Sequence, residues 1–209
     1  MEQKDPRERI LTRAAETLSV AFHPILAPTL GLLFIITHPY ASVFAISGAQ
    51  KSLLIFLVFL NTALLPALFS YLLVRFGFIA SLQMKSVKER RWPYLITAIF
   101  YLFTFFLLKE ARLPDLIYRL QAGGILTVCM TALISLRWKI SAHMAGIGGI
   151  CALFMLSPIG TGSDGTLIAT ALILLSGLIG SSRIYLKAHH AAQVFAGWLL
   201  GFSSVSIFL

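Results

Sequence analysis

The residues able to do chemistry are few, and they cluster. Over Ser181–Gly201, reading SSRIYLKAHHAAQVFAGWLLG, an arginine, a lysine and two adjacent histidines stand against the start of an apolar run. Two more polar stretches, KSVKERRWP at 85–93 and WKISAHM at 138–144, occupy the same kind of boundary. A histidine can attack phosphorus as a nucleophile, and a second can protonate the leaving oxygen. Cationic side chains and the free N–H groups of a helix start stabilise charge on the other phosphoryl oxygens. The three stretches therefore predict one phosphate-handling site. No nucleotide-binding loop, acidic metal cluster or Walker-type motif accompanies them, so neither a metal nor a cofactor is expected. Neighbouring residues on a helix sit ~100° apart. His189 and His190 cannot then both face one helix-borne site, which argues against a metal pair and leaves His190 at the rim or against lipid headgroups.

These side chains need elements to hold them. The chain has 209 residues, 58% of them hydrophobic and 12% charged, with a mean hydropathy of +0.87. That is too apolar for a soluble domain of this size. A membrane span needs ~20 mostly apolar residues, and backbone in lipid must satisfy itself as a helix or a closed barrel. The apolar runs here are continuous rather than alternating, which excludes a barrel. The expected fold is an all-α, polytopic membrane bundle of about seven spans, near 18–37, 52–74, 93–108, 120–136, 142–157, 166–182 and 190–209. Residues 1–17, with four basic and four acidic side chains, are read as an interfacial segment, and 18–209 as one transmembrane domain.

Pro24 and Pro28 should kink the first span or delay its start, with His23 satisfied by backbone freed there. The mixed charge before this run and its prolines are unlike a cleavable signal peptide. Asn61 is read as an interhelical hydrogen-bonding group near Pro66, Pro93 as a first-turn proline, and Ser141 as an N-cap. Cys129 and Cys151 fall inside apolar runs and read as small buried side chains, not a disulfide.

Seven spans put the N-terminus and the loops after spans two, four and six on one face. Those loops are the three polar stretches. Thirteen of the 17 Lys and Arg fall on that face, namely residues 4, 7, 9, 13, 75, 85, 88, 90, 91, 137, 139, 183 and 187; Lys51, Lys109, Arg112 and Arg119 fall opposite. Positive-inside bias makes the richer face cytoplasmic, in a multi-pass protein of the cell (inner) membrane. The net charge of +9 then reflects cytoplasmic loops and an anionic lipid partner, not nucleic acid. Spans three, five and seven all begin on this face, so three helix N-termini can converge on one anion.

The pattern resembles the type 2 phosphatidic acid phosphatase superfamily, membrane relatives of the vanadium haloperoxidases, whose motifs are K-x6-R-P, P-S-G-H and S-R-x5-H-x3-D. The third is matched by Ser182-Arg183-x5-His189 and the second by Ile140-Ser141-Ala142-His143. The first is matched loosely by Lys85-x5-Arg91-Trp92-Pro93, with Arg90 as an equal candidate. The resemblance implies a metal-independent lipid phosphatase core. His189 would be the nucleophile that forms a phosphohistidine, and His143 the general acid. Lys85, Arg90 or Arg91, Ser141, Ser182 and Arg183 would hold phosphate. Gln193 stands where the family has aspartate. At i+4 it shares a face with His189 and can fix its tautomer, but it brings no charge to stabilise an imidazolium. The expected activity is hydrolysis of a phosphomonoester lipid. The alternatives are a catalytically silent phospholipid binder or translocator, and a lipid phosphotransferase.

Overall fold

The computed structural model describes residues 5–37, 46–82, 84, 87–111, 113–158 and 163–209 (for 87, 88, 163 and 164, the backbone alone). Among them every regular element is helical: α1 Pro6–Ala21, α2 Ala27–Thr37, α3 Gly48–Phe59, α4 Leu65–Arg75, α5 Val87–Glu110, α6 Asp115–Ile134, α7 Ala142–Leu156, α8 Ser163–Tyr185 and α9 Ala191–Ser206. Five stretches are long and apolar enough to cross a membrane: Pro6–Thr37, Gly48–Arg75, Glu89–Glu110, Asp115–Ile134 and Gly165–Tyr185. The chain is a helical membrane protein.

The remaining two, α7 and α9, have 15 and 16 residues. At ~1.5 Å per residue they fall short of a ~30 Å hydrocarbon core. Of the two, α7 is enclosed by the bundle itself, with ten of its residues from Met144 to Phe154 buried, whereas α9 buries one face, at Gln193, Gly197, Gly201, Ser204 and Val205, and leaves Phe195 and Leu199 exposed. Helices thus occupy all seven expected positions, while five carry the length for a crossing on their own.

Local chemistry accounts for the departures from regularity. Asp5 caps α1 by accepting from the Arg7 amide, and α1 runs unbroken through residue 17. The interruption falls later, at Phe22 and His23, where Pro24 opens a 3-10 turn and Pro28 sits in the first turn of α2. Between α3 and α4 the chain widens into a π turn at Leu60–Leu64, just ahead of Pro66, which has no N–H to give. Asn61 lies in this turn, and its amide donates to the Leu57 carbonyl of the same helix, not to a neighbouring helix. Pro93 lies inside α5, because the helix begins at Val87 and takes up the basic stretch as its first turns. The bond Pro93 forgoes would reach only the first turn of that helix, where the loss is easily tolerated.

Helices α7 and α9 run parallel and in register. A Cβ on Gly197 would meet the Ser141 carbonyl, one on Gly201 the Ala145 carbonyl, and one on Gly149 the Val205 side chain. Each step advances both helices by four residues, the spacing of small-x-x-x-small contacts. This packing brings the starts of α7 and α9 together, joined by a hydrogen bond from the Ser141 amide to the Gln193 carbonyl at 3.3 Å.

Candidate functional site

The end of α8 and the start of α9 form one rigid turn. Lys187 takes the left-handed conformation at φ 52°, which folds the chain back so that the Arg183 carbonyl accepts from both the Ala188 and His189 amides. Arg183 and His189 are thereby fixed relative to one another through main chain. His189 is buried, at 8% exposure. Its Nδ1 lies 3.1 Å from the Lys139 carbonyl and 3.3 Å from Gln193 Oε1. Gln193 Oε1 also accepts from the His190 amide at 3.1 Å, which fixes the orientation of the side-chain amide. Both oxygens facing Nδ1 are acceptors, so Nδ1 carries the proton and Nε2 is left with its lone pair. His190 is the N-cap residue of α9 and is exposed. The two histidines are separated by a helix start, not by a helical turn.

Ser141 stands at the N-cap position of α7, as expected, but its hydroxyl makes no capping bond. It is fully buried and without a partner. The Nε of Arg183 is likewise buried without a partner. Arg90 is buried at 8% exposure and donates through Nε to the Met84 carbonyl, whereas Arg91, one residue on, is exposed. Neighbours ~100° apart on α5 cannot share a face. Of the two arginines left open, Arg90 is therefore the one turned into the bundle. Ser182 is buried, with its hydroxyl given to the Leu178 carbonyl of its own helix. Lys85 lies outside the described residues.

Three residues join the cluster unforeseen. Lys139 supplies the carbonyl that holds His189, and its ammonium is pushed below the ordinary lysine value by partial burial and by the charges of Arg90 and Arg183. In the sequence it reads as an interface marker, and only its place two residues before Ser141 hints at more. Ser19 of α1 has no sequence signal. Its carbonyl lies 3.0 Å from His143 Nε2, and its hydroxyl accepts from Arg183 Nη1 at 3.0 Å. A carbonyl only accepts, so His143 carries its proton on Nε2. His23 accepts the Ile25 amide on Nδ1 at 3.4 Å, in line with the backbone role expected of it, and its ring stands edge-on to His143 at 5.2 Å.

The electrostatics are one-sided. Among the described residues, Arg90, Lys139 and Arg183 have no carboxylate within ion-pair distance; the ion pair present joins Arg119 and Asp115 at the other end of the bundle. Charge removed from water without a partner costs several kcal/mol, and an anion offsets it. A cavity of about 900 Å³ lies far from this cluster, lined by residues such as Leu54, Asp115, Arg119, Pro158 and Leu209. Its described lining is mostly apolar, and the acid and base in it, Asp115 and Arg119, are already paired. The histidine end is instead closed over by α1. Arg90→Ala is expected to weaken binding of inorganic phosphate at least tenfold in equilibrium dialysis, and Arg91→Ala by less than about twofold, since loss of a charged hydrogen bond costs ~1.5–3 kcal/mol.

Fold and site together define a helical membrane protein with a buried cluster of cations and histidines at one end of its bundle. No protein-family model, curated protein or solved structure matches the chain.

Proposed function

We propose that this protein is a metal-independent lipid phosphate phosphatase that works through a phosphohistidine at His189. The observation that carries the reading is the state of His189: Nδ1 is held by two acceptors, and among the described residues Nε2 has no hydrogen-bond partner and the cations near it have no carboxylate within ion-pair distance. Arg90 and Arg183 neutralise the phosphoryl oxygens, and the unpartnered Ser141 hydroxyl donates to one of them. Nε2 attacks phosphorus as the lipid alkoxide leaves. His143, taking up a second proton together with the phosphate dianion, enters this step as the imidazolium; it gives its Nε2 proton to the leaving oxygen, becomes neutral, and recovers a proton from the water that hydrolyses the phosphohistidine. The substrate is a phosphomonoester at a lipid headgroup, such as phosphatidic acid, phosphatidylglycerol phosphate, a phosphorylated isoprenoid or a sphingolipid phosphate. The bias of Lys and Arg supports a site on the cytoplasmic face of the cell membrane.

Substrate entry requires Ser19 to release Arg183 and His143. The break at Phe22 and His23 is the place for α1 to pivot. Ser19→Ala removes one of the two contacts and is expected to lower the KM for a short-chain phosphatidic acid severalfold with kcat little changed; an unchanged or higher KM counts against this route. The decisive experiment gives purified protein in detergent a panel of lipid phosphates and measures free phosphate, with His189→Ala as the control. A second reading, a phospholipid binder without turnover, is favoured by the uncharged Gln193 beside His189. Binding without release in that assay selects it, and phosphate appearing on an acceptor lipid selects a phosphotransferase.

A further inference from the structure

We propose that Lys139 is a third phosphoryl ligand of this site, selecting a doubly charged phosphomonoester over a singly charged diester. The inference rests on the phosphate-site reading above and extends it to a residue that no motif resemblance assigns. Three observations carry it. The chain turns tightly at Lys139, with the Ile140 amide donating to the Trp138 carbonyl at 2.9 Å. That turn delivers the Lys139 carbonyl to His189 Nδ1 at 3.1 Å. The residue is therefore anchored beside the nucleophile, and not on a loose interfacial loop. Two residues on, the buried Ser141 hydroxyl is without a partner, so the same short segment contributes a second group with unmet hydrogen-bonding capacity.

The third observation is charge. Lys139 feels both Arg90 and Arg183, and no carboxylate among the described residues pairs with any of the three. Three cations held together are mutually repulsive in the empty site, and each gains from an occupant of charge −2 more than from one of −1. A phosphomonoester carries close to two charges at neutral pH, a diester one. Arg90 and Arg183 are anchored by Nε to Met84 and by Nη1 to Ser19. The Lys139 ammonium, a compact charge on a flexible stem, makes no hydrogen bond to the protein among the described residues. It is the donor freest to follow a phosphoryl group.

The test uses the full chain in detergent, with Lys139→Gln and Lys139→Arg compared with the unaltered protein. Neither substitution touches the carbonyl that orients His189. The probes are inorganic phosphate, dioctanoyl phosphatidic acid in mixed micelles, and the corresponding methyl diester. Lys139→Gln is expected to weaken phosphate and phosphatidic acid binding at least tenfold and diester binding by less than threefold. Lys139→Arg should restore most of the loss, and thermal unfolding should stay unchanged. Equal binding in Lys139→Gln, or an equal loss for the diester, overturns the proposal while leaving the phosphatase reading intact. Selective loss in a protein that releases no phosphate from any lipid supports Lys139 and defeats the phosphatase reading. If the unaltered protein binds none of the three probes, both fall. Tighter binding of phosphatidic acid than of inorganic phosphate identifies a lipid headgroup as the source of the anion.

Discussion

His189→Ala should abolish release of phosphate from a lipid phosphomonoester, by on the order of a thousandfold or more. The size follows from covalent catalysis. Water attacking the same ester lacks a positioned nucleophile, and the cations that remain bind the substrate without forming the new bond. Protein content and binding of inorganic phosphate should change much less, which separates lost chemistry from lost structure. The pH profile adds an independent mark. Burial, reinforced by the charges of Arg183 and Lys139 and partly opposed by the Lys139 carbonyl bond, lowers the His189 pKa from 6.5 to about 4. A lowered pKa keeps the ring neutral and nucleophilic down to mildly acid pH. The acid limb of kcat, measured at saturating substrate so that ionisation of the free phosphomonoester does not enter, should therefore fall near pH 4. A limb at 6.5, or a His189→Ala protein that still turns over, sinks the assignment.

The second large effect is structural. Gly201→Ala is expected to destabilise the bundle by about 3 kcal/mol, because the added methyl would overlap the Ala145 carbonyl of α7. Backbone cannot rotate aside as a side chain does, so α7 and α9 must separate. The cost reaches the site, since those helices carry Ser141 and His143 on one side and Gln193 on the other. Gly177→Ala is the matched control. A Cβ there meets nothing within 4 Å, and replacing a mid-helix glycine stabilises by up to ~1 kcal/mol. Thermal unfolding followed by tryptophan fluorescence is apt, since Trp198 packs along the α7–α9 contact, its carbonyl against Gly148. Equal effects of the two substitutions would show that the close approach is unimportant.

Much of the architecture was legible in the chain. Continuous apolar runs fix helices in lipid because no other open backbone arrangement satisfies itself there, and helices lie at each of the seven expected places. The boundaries shifted where local rules compete. Residues 87–91 carry helix despite their charge, and α1 continues past residue 17 because charged side chains on a helix can stay exposed. The interruption waits for His23 and Pro24, where a proline removes a donor.

The candidate site divides in the same way. Residue types and their boundary positions pointed to histidines, arginines and Ser141 as the groups with chemistry, since charge and imidazole near a membrane are costly unless used. Sequence spacing alone could not choose Arg90 over Arg91, nor place Lys139 and Ser19 beside them. Those depend on which way a helix is rotated and which helices run side by side. The parallel register of α7 and α9, set by backbone contacts at Gly197 and Gly201, brings His189 to the Lys139 carbonyl across 50 residues of chain. The state of His189 divides between the two: Gln193 at i+4 is a local acceptor that the sequence already offered, whereas the Lys139 carbonyl comes from a distant segment and meets Nδ1 only when those helices pack.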